Sequence, residues 1–223
     1  MDNMSNQDPS YKIHGIFPCP VYIVKRDSGI SLKEKKDIKD VIGGDMHKAS
    51  GGMRQNFGNS ISEDTYIFNS KLKEIKQFCE HHIKIYVEQI IKPAKDLDFY
   101  ITQSWINVNK PGQHHPKHNH QNSIMSGVFY VQTVESDEIM LSDPNIRLKD
   151  FITFGEDREF DKWNSCTWSF PVTDGNLFIF PSWLEHQVLP NPLTTTDRIS
   201  LAFNTFVRGF LGDKSHITEL TLK

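Results

Sequence analysis

Cysteines are few in this chain and lie far apart. Cys19, Cys79 and Cys166 are the only three in 223 residues. An odd number at this spacing predicts neither a disulfide framework nor a CxxC zinc knuckle, and it suits a reducing compartment. The chain also lacks a run of about 18 apolar residues, and residues 1–9 are polar, unlike a secretory signal. We therefore expect a cytoplasmic protein with no membrane partner.

A large excess of charge of either sign is also missing. The formal net charge is -3, which gives no electrostatic case for general nucleic-acid binding. With 223 residues the chain is long enough for one larger all-β domain. We expect a single domain over residues 1–223, with an N-terminal strand and packing helices at about 10–95 and a β core at about 99–207.

The N-terminal third has the signals of one strand and two helices. Residues 16–24 are apolar and β-branched with prolines near their start, which predicts an edge strand. Ser31 followed by Glu34 forms a capping-box pattern, so a helix should open there and end at the two consecutive glycines that follow. Apolar residues at three- and four-residue steps predict a second, longer helix from about Ser70 to Pro93.

From residue 99 onward the periodicity is that of strands. Short segments rich in aromatic and β-branched residues predict strands at 100–108, 124–131, 176–180 and 198–206. In the last strand one face is apolar, and the other carries Arg198, Ser200, Ala202 and Asn204, which suits a pocket wall.

Two polar segments connect these predicted strands. The turn-rich segment 190–197 is predicted to let the strands on either side of it run as neighbours. The charged segment 143–165 has little periodicity, which is typical either of a long loop over a pocket mouth or of a solvated surface.

A histidine-rich tract is the strongest chemical signal in the chain. It contains His114, His115, His118 and His120, and a lone His186 follows 66 residues after His120. Residues i and i+2 of a strand point to the same side, so we prefer His118 with His120 as metal ligands over His115 with His118. His186 can complete the set only if a sheet closes on itself, as in barrels and jelly rolls. A surface accident is the alternative for the tract, and loop or supporting roles are favoured for His114 and His115.

Arg198 and Ser200 share a strand face and could form an anion site. A planar guanidinium beside a hydroxyl suits a carboxylate. The alternative is that Arg198 only pairs with a surface carboxylate, since Asp197 adjoins it.

Six short motifs lie between residues 105 and 204: WINV at 105–108, HNH at 118–120, SGVFY at 126–130, DP at 143–144, FPSWLEH at 180–186 and RISLAFN at 198–204. Together they resemble a subfamily of 2-oxoglutarate- and Fe(II)-dependent oxygenases that occurs in marine bacteria and their phages. The resemblance begins at the apolar segment 16–21 and covers nearly the whole chain.

The resemblance implies a fold, a cofactor set and an activity. It implies a mainly β protein with supporting α-helices and a double-stranded β-helix core, also called a jelly-roll or cupin-like core. The implied Fe(II) ligands are His118, His120 and His186, and the implied residues for the 2-oxoglutarate C5 carboxylate are Arg198 and Ser200. Asn107 and Tyr130 are candidates for further hydrogen bonds to the keto acid. The implied reaction couples O2 activation to decarboxylation of 2-oxoglutarate to succinate, with hydroxylation of an unidentified substrate.

His120 departs from the wider superfamily, which mostly has aspartate at this position. The metal site would then contain three neutral ligands instead of two histidines and one carboxylate. Two other classes stay open: a cupin-type metalloenzyme that does not use 2-oxoglutarate, and a jelly-roll binding protein. The sequence predicts no catalytic residue beyond the metal ligands, and it leaves a homodimer open.

Overall fold

The computed structural model describes residues 12, 14–44, 52–55, 58–94, 97–143, 159–190 and 195–223. Most of the predicted loop at 143–165 lies outside these residues. Within them, twelve strands form two sheets whose strand pairs are antiparallel, and two α-helices cover one face of the larger sheet. The described part of the chain contains no helix with the length and apolar character that a membrane crossing needs.

The larger sheet contains the long central strands. Its members are β1 (Tyr22–Lys25), β2 (Met53–Gln55), β3 (Ser60–Ser62), β4 (Asp98–Asn109), β6 (Met125–Gln132), β9 (Asn176–Pro181), β11 (Arg198–Leu211) and β12 (Leu220–Leu222). Their order is β1-β9-β6-β11-β4-β3-β2, with β12 paired to β11. β11 therefore lies between β4 and β6 at the centre of the sheet, and β1 lies at an edge, as predicted.

The smaller sheet faces the larger one. Its strands are β5 (His115–His118), β7 (Glu138–Ser142), β8 (Thr167–Pro171) and β10 (His186–Val188), in the order β5-β10-β7-β8. Between the sheets lies an apolar core that contains Tyr130, Ile139, Leu141, Val172, Phe178, Phe180 and Leu184. This is the jelly-roll architecture that the sequence resemblance implies, and the fold prediction is confirmed.

The opposite face of the larger sheet packs against the helices. Leu201 and Phe203 of β11 are fully buried there, in one cluster with Ile38, Ile75 and Ile83 of the helices. Arg198 and Ser200 belong to the other strand face, because successive side chains of a strand alternate. The predicted division of β11 into an apolar face and a face with polar residues is therefore correct.

The first helix begins where its cap predicts. α1 spans Leu32–Ile42, and Ser31 accepts a hydrogen bond from the Glu34 backbone while the Glu34 carboxylate accepts one from the Ser31 backbone. The second helix, α2, spans Lys73–Tyr86, so the predicted start at Ser70 is wrong.

Leu72 explains the start of α2. Its backbone is in the left-handed region at φ 57°, and its side chain is only 3% exposed. No side chain caps this helix end, so the buried Leu72 side chain takes the place of a polar cap in fixing where α2 begins. A π-helical turn at Val87–Ile91 then extends α2 towards Pro93.

The strands on either side of segment 190–197 are not neighbours, which corrects the prediction. β10 pairs with β5 and β7 in the smaller sheet, whereas β11 pairs with β4, β6 and β12 in the larger one. The chain thus crosses from one sheet to the other between His186 and Arg198. Local turn signals indicate that a chain reverses, but they do not specify which strand it then joins.

Candidate functional site

Three histidines gather at one end of the smaller sheet. In β10 and β5, His186 stands directly opposite His118, and His120 follows two residues after the end of β5. Each of the three offers a ring nitrogen, and these ligand atoms lie within 4.8 Å of one another. Among the described residues, these three form the group of side chains that could hold a metal ion together. The structure thus brings together the three residues that the sequence singled out.

Backbone carbonyls set the ring orientation of two of these histidines. His118 Nδ1 lies 2.8 Å from the carbonyl oxygen of Pro116, and His186 Nδ1 lies 3.0 Å from that of Leu184. A carbonyl oxygen can only accept, so each Nδ1 must carry the proton and donate it. Nε2 of both rings is then left with a free lone pair, which is the form that binds a metal.

Burial keeps all three imidazoles neutral at neutral pH. It lowers the pKa of His186 to about 4, with His118 adding to the shift. Burial likewise lowers the pKa of His120 to about 3, and the nearby His186 and His118 further disfavour a positive charge on this ring. Burial also lowers the pKa of His118. A neutral imidazole is ready to bind a metal without first releasing a proton.

The strand argument for His118 and His120 is only partly correct. β5 ends at His118, so His120 lies beyond the strand and does not share a strand face with it. His120 is held in other ways: its backbone N–H donates to the Ser182 carbonyl at 2.9 Å, and its ring lies 5.9 Å from that of Trp105. Tertiary contacts, and not the two-residue period, bring His120 to the cluster.

The neighbouring candidates take supporting positions. His115 lies in β5 and stacks on His118, with ring centroids 4.3 Å apart and planes 12° apart. His114 packs against Gly58, where an added Cβ would lie 2.7 Å from the His114 carbonyl oxygen. Glu185 is half exposed and pairs with Lys117 at 3.1 Å, so its carboxylate faces away from the cluster.

Three of the predicted keto-acid residues form one row across the larger sheet. Ser200 of β11 stands opposite Asn107 of β4 on one side and Tyr130 of β6 on the other. All three are at most 8% exposed. Arg198, two residues before Ser200, is on the same face. A compact polar patch therefore lies on the sheet face that looks towards the smaller sheet.

The side-chain amide of Asn107 is held by two donors. Its Oδ1 accepts from Trp105 Nε1 at 3.2 Å and from Asn59 Nδ2 at 3.3 Å. With the oxygen occupied, the Nδ2 group is the part of Asn107 that can donate to a ligand. Asn59 is fully buried and was missed by the sequence analysis, because no local pattern links the residue before β3 to β4.

Tyr130 carries a hydroxyl without a partner. The side chain is 1% exposed, and its Oη has no hydrogen-bond partner among the described residues. Burial strongly raises the pKa of this phenol, with Asp137 adding to the shift, so it stays protonated and can donate. Buried hydroxyls are normally paired, because an unpaired one costs free energy. A ligand that accepts hydrogen bonds would satisfy it.

Arg198 has a buried carboxylate partner that the sequence analysis did not find. Arg198 Nε donates to Asp137 Oδ2 at 2.6 Å, and Arg198 Nη2 forms an ion pair with Asp137 Oδ1. Both residues are at most 5% exposed. Asp197, the alternative partner suggested by its adjacency, is therefore not the one used. Asp137 lies among charged residues before β7, and no local pattern links it to Arg198, 61 residues later.

The comparison with protein families supplies the decisive observation. Residues 103–204 match a family model described as "Putative 2OG-Fe(II) oxygenase". The matched segment contains the three clustered histidines and the four polar residues discussed above. This protein is a 2-oxoglutarate- and Fe(II)-dependent oxygenase. Its cofactors are accordingly Fe(II) and 2-oxoglutarate, and O2 is a co-substrate.

Solved structures share the fold of the oxygenase. The non-heme alpha ketoglutarate dependent epimerase SnoN from nogalamycin biosynthesis superposes with a TM-score of 0.57 at 10% identity, over 84% of this chain and 76% of that chain. An oxidoreductase of the 2OG-Fe(II) oxygenase family from Burkholderia pseudomallei gives 0.53 at 9% identity, over 83% and 84%. A prolyl hydroxylase from Trichoplax adhaerens gives 0.53 at 10% identity, over 83% of each chain. These identities establish a common fold alone. No curated protein sequence matches the oxygenase.

The donor set of this chain fits the implied iron. Imidazole nitrogens are good ligands for iron, and the three rings are neutral and close enough to share one ion. The site differs from the usual pair of histidines and one carboxylate, since no carboxylate of the described residues joins the group. A metal ion held by these three neutral rings would therefore receive no negative charge from them.

Proposed function

We propose that the oxygenase is a hydroxylase of an unidentified substrate, with its metal and keto acid held by the residues described above. The proposed Fe(II) ligands are His118, His120 and His186. The proposed 2-oxoglutarate residues are Arg198, Ser200, Asn107 and Tyr130. The observation that carries the assignment is the unpartnered Tyr130 hydroxyl, buried beside Ser200 on the sheet face opposite the histidines.

An excess of hydrogen-bond donors supports the keto-acid assignment. Tyr130 offers an unpaired O–H, and Asn107 offers its amide N–H groups because its oxygen is already occupied. Arg198 retains N–H groups on Nη1, whose one contact within the described residues is a 3.5 Å approach to the Leu189 carbonyl. A carboxylate is acceptor-only and negatively charged, so it matches this set better than a neutral ligand.

The protein has a limited share in the proposed reaction. When bound, Fe(II) and 2-oxoglutarate supply the oxidising chemistry, in which O2 activation is coupled to decarboxylation of the keto acid to succinate. His118 and His186 present Nε2 because their Nδ1 protons are held by carbonyls. The row formed by Asn107, Ser200 and Tyr130 orients the keto acid, and the apolar core between the sheets excludes water. We assign no catalytic acid or base beyond the metal ligands.

Several broader expectations belong to the same proposal. We propose that residues 1–223 act as one domain in the cytoplasm, either alone or as a homodimer, and that the protein derives from the marine bacterial and phage subfamily. The three cysteines support a reducing compartment, since none of them forms a disulfide in the structure.

A spectroscopic experiment tests the function. Purified protein is loaded with Fe(II) without oxygen, the iron is quantified, and 2-oxoglutarate is added. We expect the weak visible charge-transfer band of a chelated keto acid, and succinate formation once O2 is admitted. Protein loaded with zinc is the control and should give neither signal. If the iron is stoichiometric but both signals are absent, a cupin-type metalloenzyme that does not use 2-oxoglutarate is favoured.

A substrate screen tests the reaction outcome. Small molecules, peptides and nucleotides are tested for faster O2 consumption, and the products are examined by mass spectrometry. Hydroxylation predicts a product that has gained one oxygen atom. A product with a new ring, a new double bond or inverted stereochemistry would contradict the hydroxylase proposal while leaving the cofactor assignment in place.

A further inference from the structure

Asp137 and Arg198 form a buried pair at the keto-acid end of the site. The Asp137 backbone is anchored on both sides, since its N–H donates to the Val134 carbonyl at 3.2 Å and its carbonyl accepts from Val172 N–H at 2.9 Å. Asp137 is 3% exposed and Arg198 is 5% exposed. The carboxylate therefore occupies a fixed position from which it can orient the guanidinium.

The contact uses one edge of the guanidinium. Asp137 Oδ2 accepts a hydrogen bond from Nε, and Asp137 Oδ1 forms an ion pair with Nη2, so the carboxylate lies side-on against this edge. This arrangement fixes both the plane and the rotation of the guanidinium. Among the described residues, the remaining N–H groups, on Nη1 and the outer side of Nη2, have one long contact, from Nη1 to the Leu189 carbonyl at 3.5 Å, so they can donate to a second acceptor. A second carboxylate could bind this end while Asp137 stays in place.

We propose that Asp137 is a positioning residue that holds Arg198 in the orientation that binds the distal carboxylate of 2-oxoglutarate. The inference rests on the proposed role of Arg198 in keto-acid binding. Asp137 does not touch the keto acid in this proposal and acts only through the guanidinium.

Asp137 has two opposing effects on keto-acid binding. The negative charge of Asp137 repels a second carboxylate. Its hydrogen bond with Nε and its ion pair with Nη2, however, keep the long Arg198 side chain from adopting other rotamers. The guanidinium lies between the two carboxylates, so its positive charge attracts both and reduces their repulsion. An unanchored arginine would have to lose its side-chain freedom when the ligand binds. We therefore expect the orienting effect to be the larger one.

The test is an Asp137→Asn variant of the Fe(II) protein, titrated with 2-oxoglutarate without oxygen and followed by the charge-transfer band. Asparagine keeps the shape and one acceptor, but it removes the charge and turns the other acceptor into a donor that faces Nη2. We expect at least about 10-fold weaker 2-oxoglutarate binding. Pyruvate, which lacks the distal carboxylate, should bind about equally to both proteins. The KM for 2-oxoglutarate should rise, while kcat at saturating 2-oxoglutarate should change little.

Asp174→Asn is a matched control. Asp174 is exposed on the neighbouring turn, where its Oδ1 accepts from the Thr133 N–H and hydroxyl. Asparagine keeps that acceptor, so affinity for 2-oxoglutarate should not change.

The Arg198→Met background shows whether Asp137 acts through the guanidinium. In this background the Asp137→Asn change should have no further effect on 2-oxoglutarate affinity. A further loss there would overturn the proposal, as would equal or tighter binding by the single Asp137→Asn variant. If Arg198→Met alone leaves affinity intact, the proposed role of Arg198 fails first, so the two failures are distinguishable.

If Asp137→Asn does not fold, Asp137→Glu tests the positioning role of Asp137 in its place. Glutamate keeps the charge but displaces the carboxylate by one methylene. Positioning predicts weaker 2-oxoglutarate binding with pyruvate unaffected, whereas unchanged 2-oxoglutarate binding would overturn the proposal.

Discussion

Replacing Tyr130 with Phe should change stability and cofactor binding in opposite directions. The Tyr130 hydroxyl is buried and has no hydrogen-bond partner in the described part of the chain, so its removal relieves a desolvation cost of about 1 kcal/mol or more in the ligand-free protein. The ring contact with Phe178, at 5.9 Å between centroids, is kept by Phe. In the complex the hydroxyl should donate to the distal carboxylate, and a hydrogen bond to a charged group contributes about 1.5 to 3 kcal/mol. The variant should therefore bind 2-oxoglutarate about 10- to 150-fold more weakly.

Two measurements test this reasoning. Urea unfolding of the metal-free protein should show equal or greater stability for Tyr130→Phe, and the anaerobic titration should show weaker 2-oxoglutarate binding with iron content matched. Tyr86→Phe is the control, because Tyr86 is equally buried but packs in the helix core. It should leave 2-oxoglutarate affinity unchanged. Unchanged affinity in Tyr130→Phe would refute the role of the hydroxyl, and a marked loss of stability would show that it has a partner in the free protein.

Two further substitutions test the histidine cluster and the packing of the core between the larger sheet and the helices. His120→Ala should remove stoichiometric iron, measured by metal analysis, while circular dichroism shows the fold intact; a variant with full iron and activity would make His115 the next ligand candidate. Gly127→Ala should destabilise the protein by about 1 to 3 kcal/mol in urea unfolding, because the new Cβ would overlap Cζ of the fully buried Phe203 and lie 2.7 Å from its Cε1 and Cε2. A stability equal to wild type would mean that Phe203 can move.

The parts of the fold that depend on neighbouring residues were predictable from the sequence. The α1 start follows from Ser31 and Glu34, because a capping box satisfies backbone groups within four residues. The two faces of β11 follow from strand alternation, which places Ser200 and Leu201 on opposite sides. In both cases the physical cause lies within a few residues of the effect.

The parts that depend on distant residues were not predictable. Asp137 reaches Arg198 across 61 residues, and Asn59 reaches Asn107 across 48. Neither pairing leaves a local pattern, because the contact arises only when separate strands become neighbours. The same reason explains the error at segment 190–197, where turn residues indicate a reversal but cannot specify the sheet that the chain joins next.

The candidate site is assembled from both sheets, and aromatic side chains of the larger sheet contact the histidines. Two histidines come from the smaller sheet, whereas the keto-acid row lies on the larger one. Phe180 of the larger sheet packs edge-on against His186 with centroids 4.7 Å apart, and Trp105 contacts the ring of His120 at 5.9 Å. Trp105 also donates to Asn107, so one side chain links a candidate metal ligand to a candidate keto-acid residue. A candidate ligand outside a regular strand, such as His120, can therefore be placed as firmly as one within it.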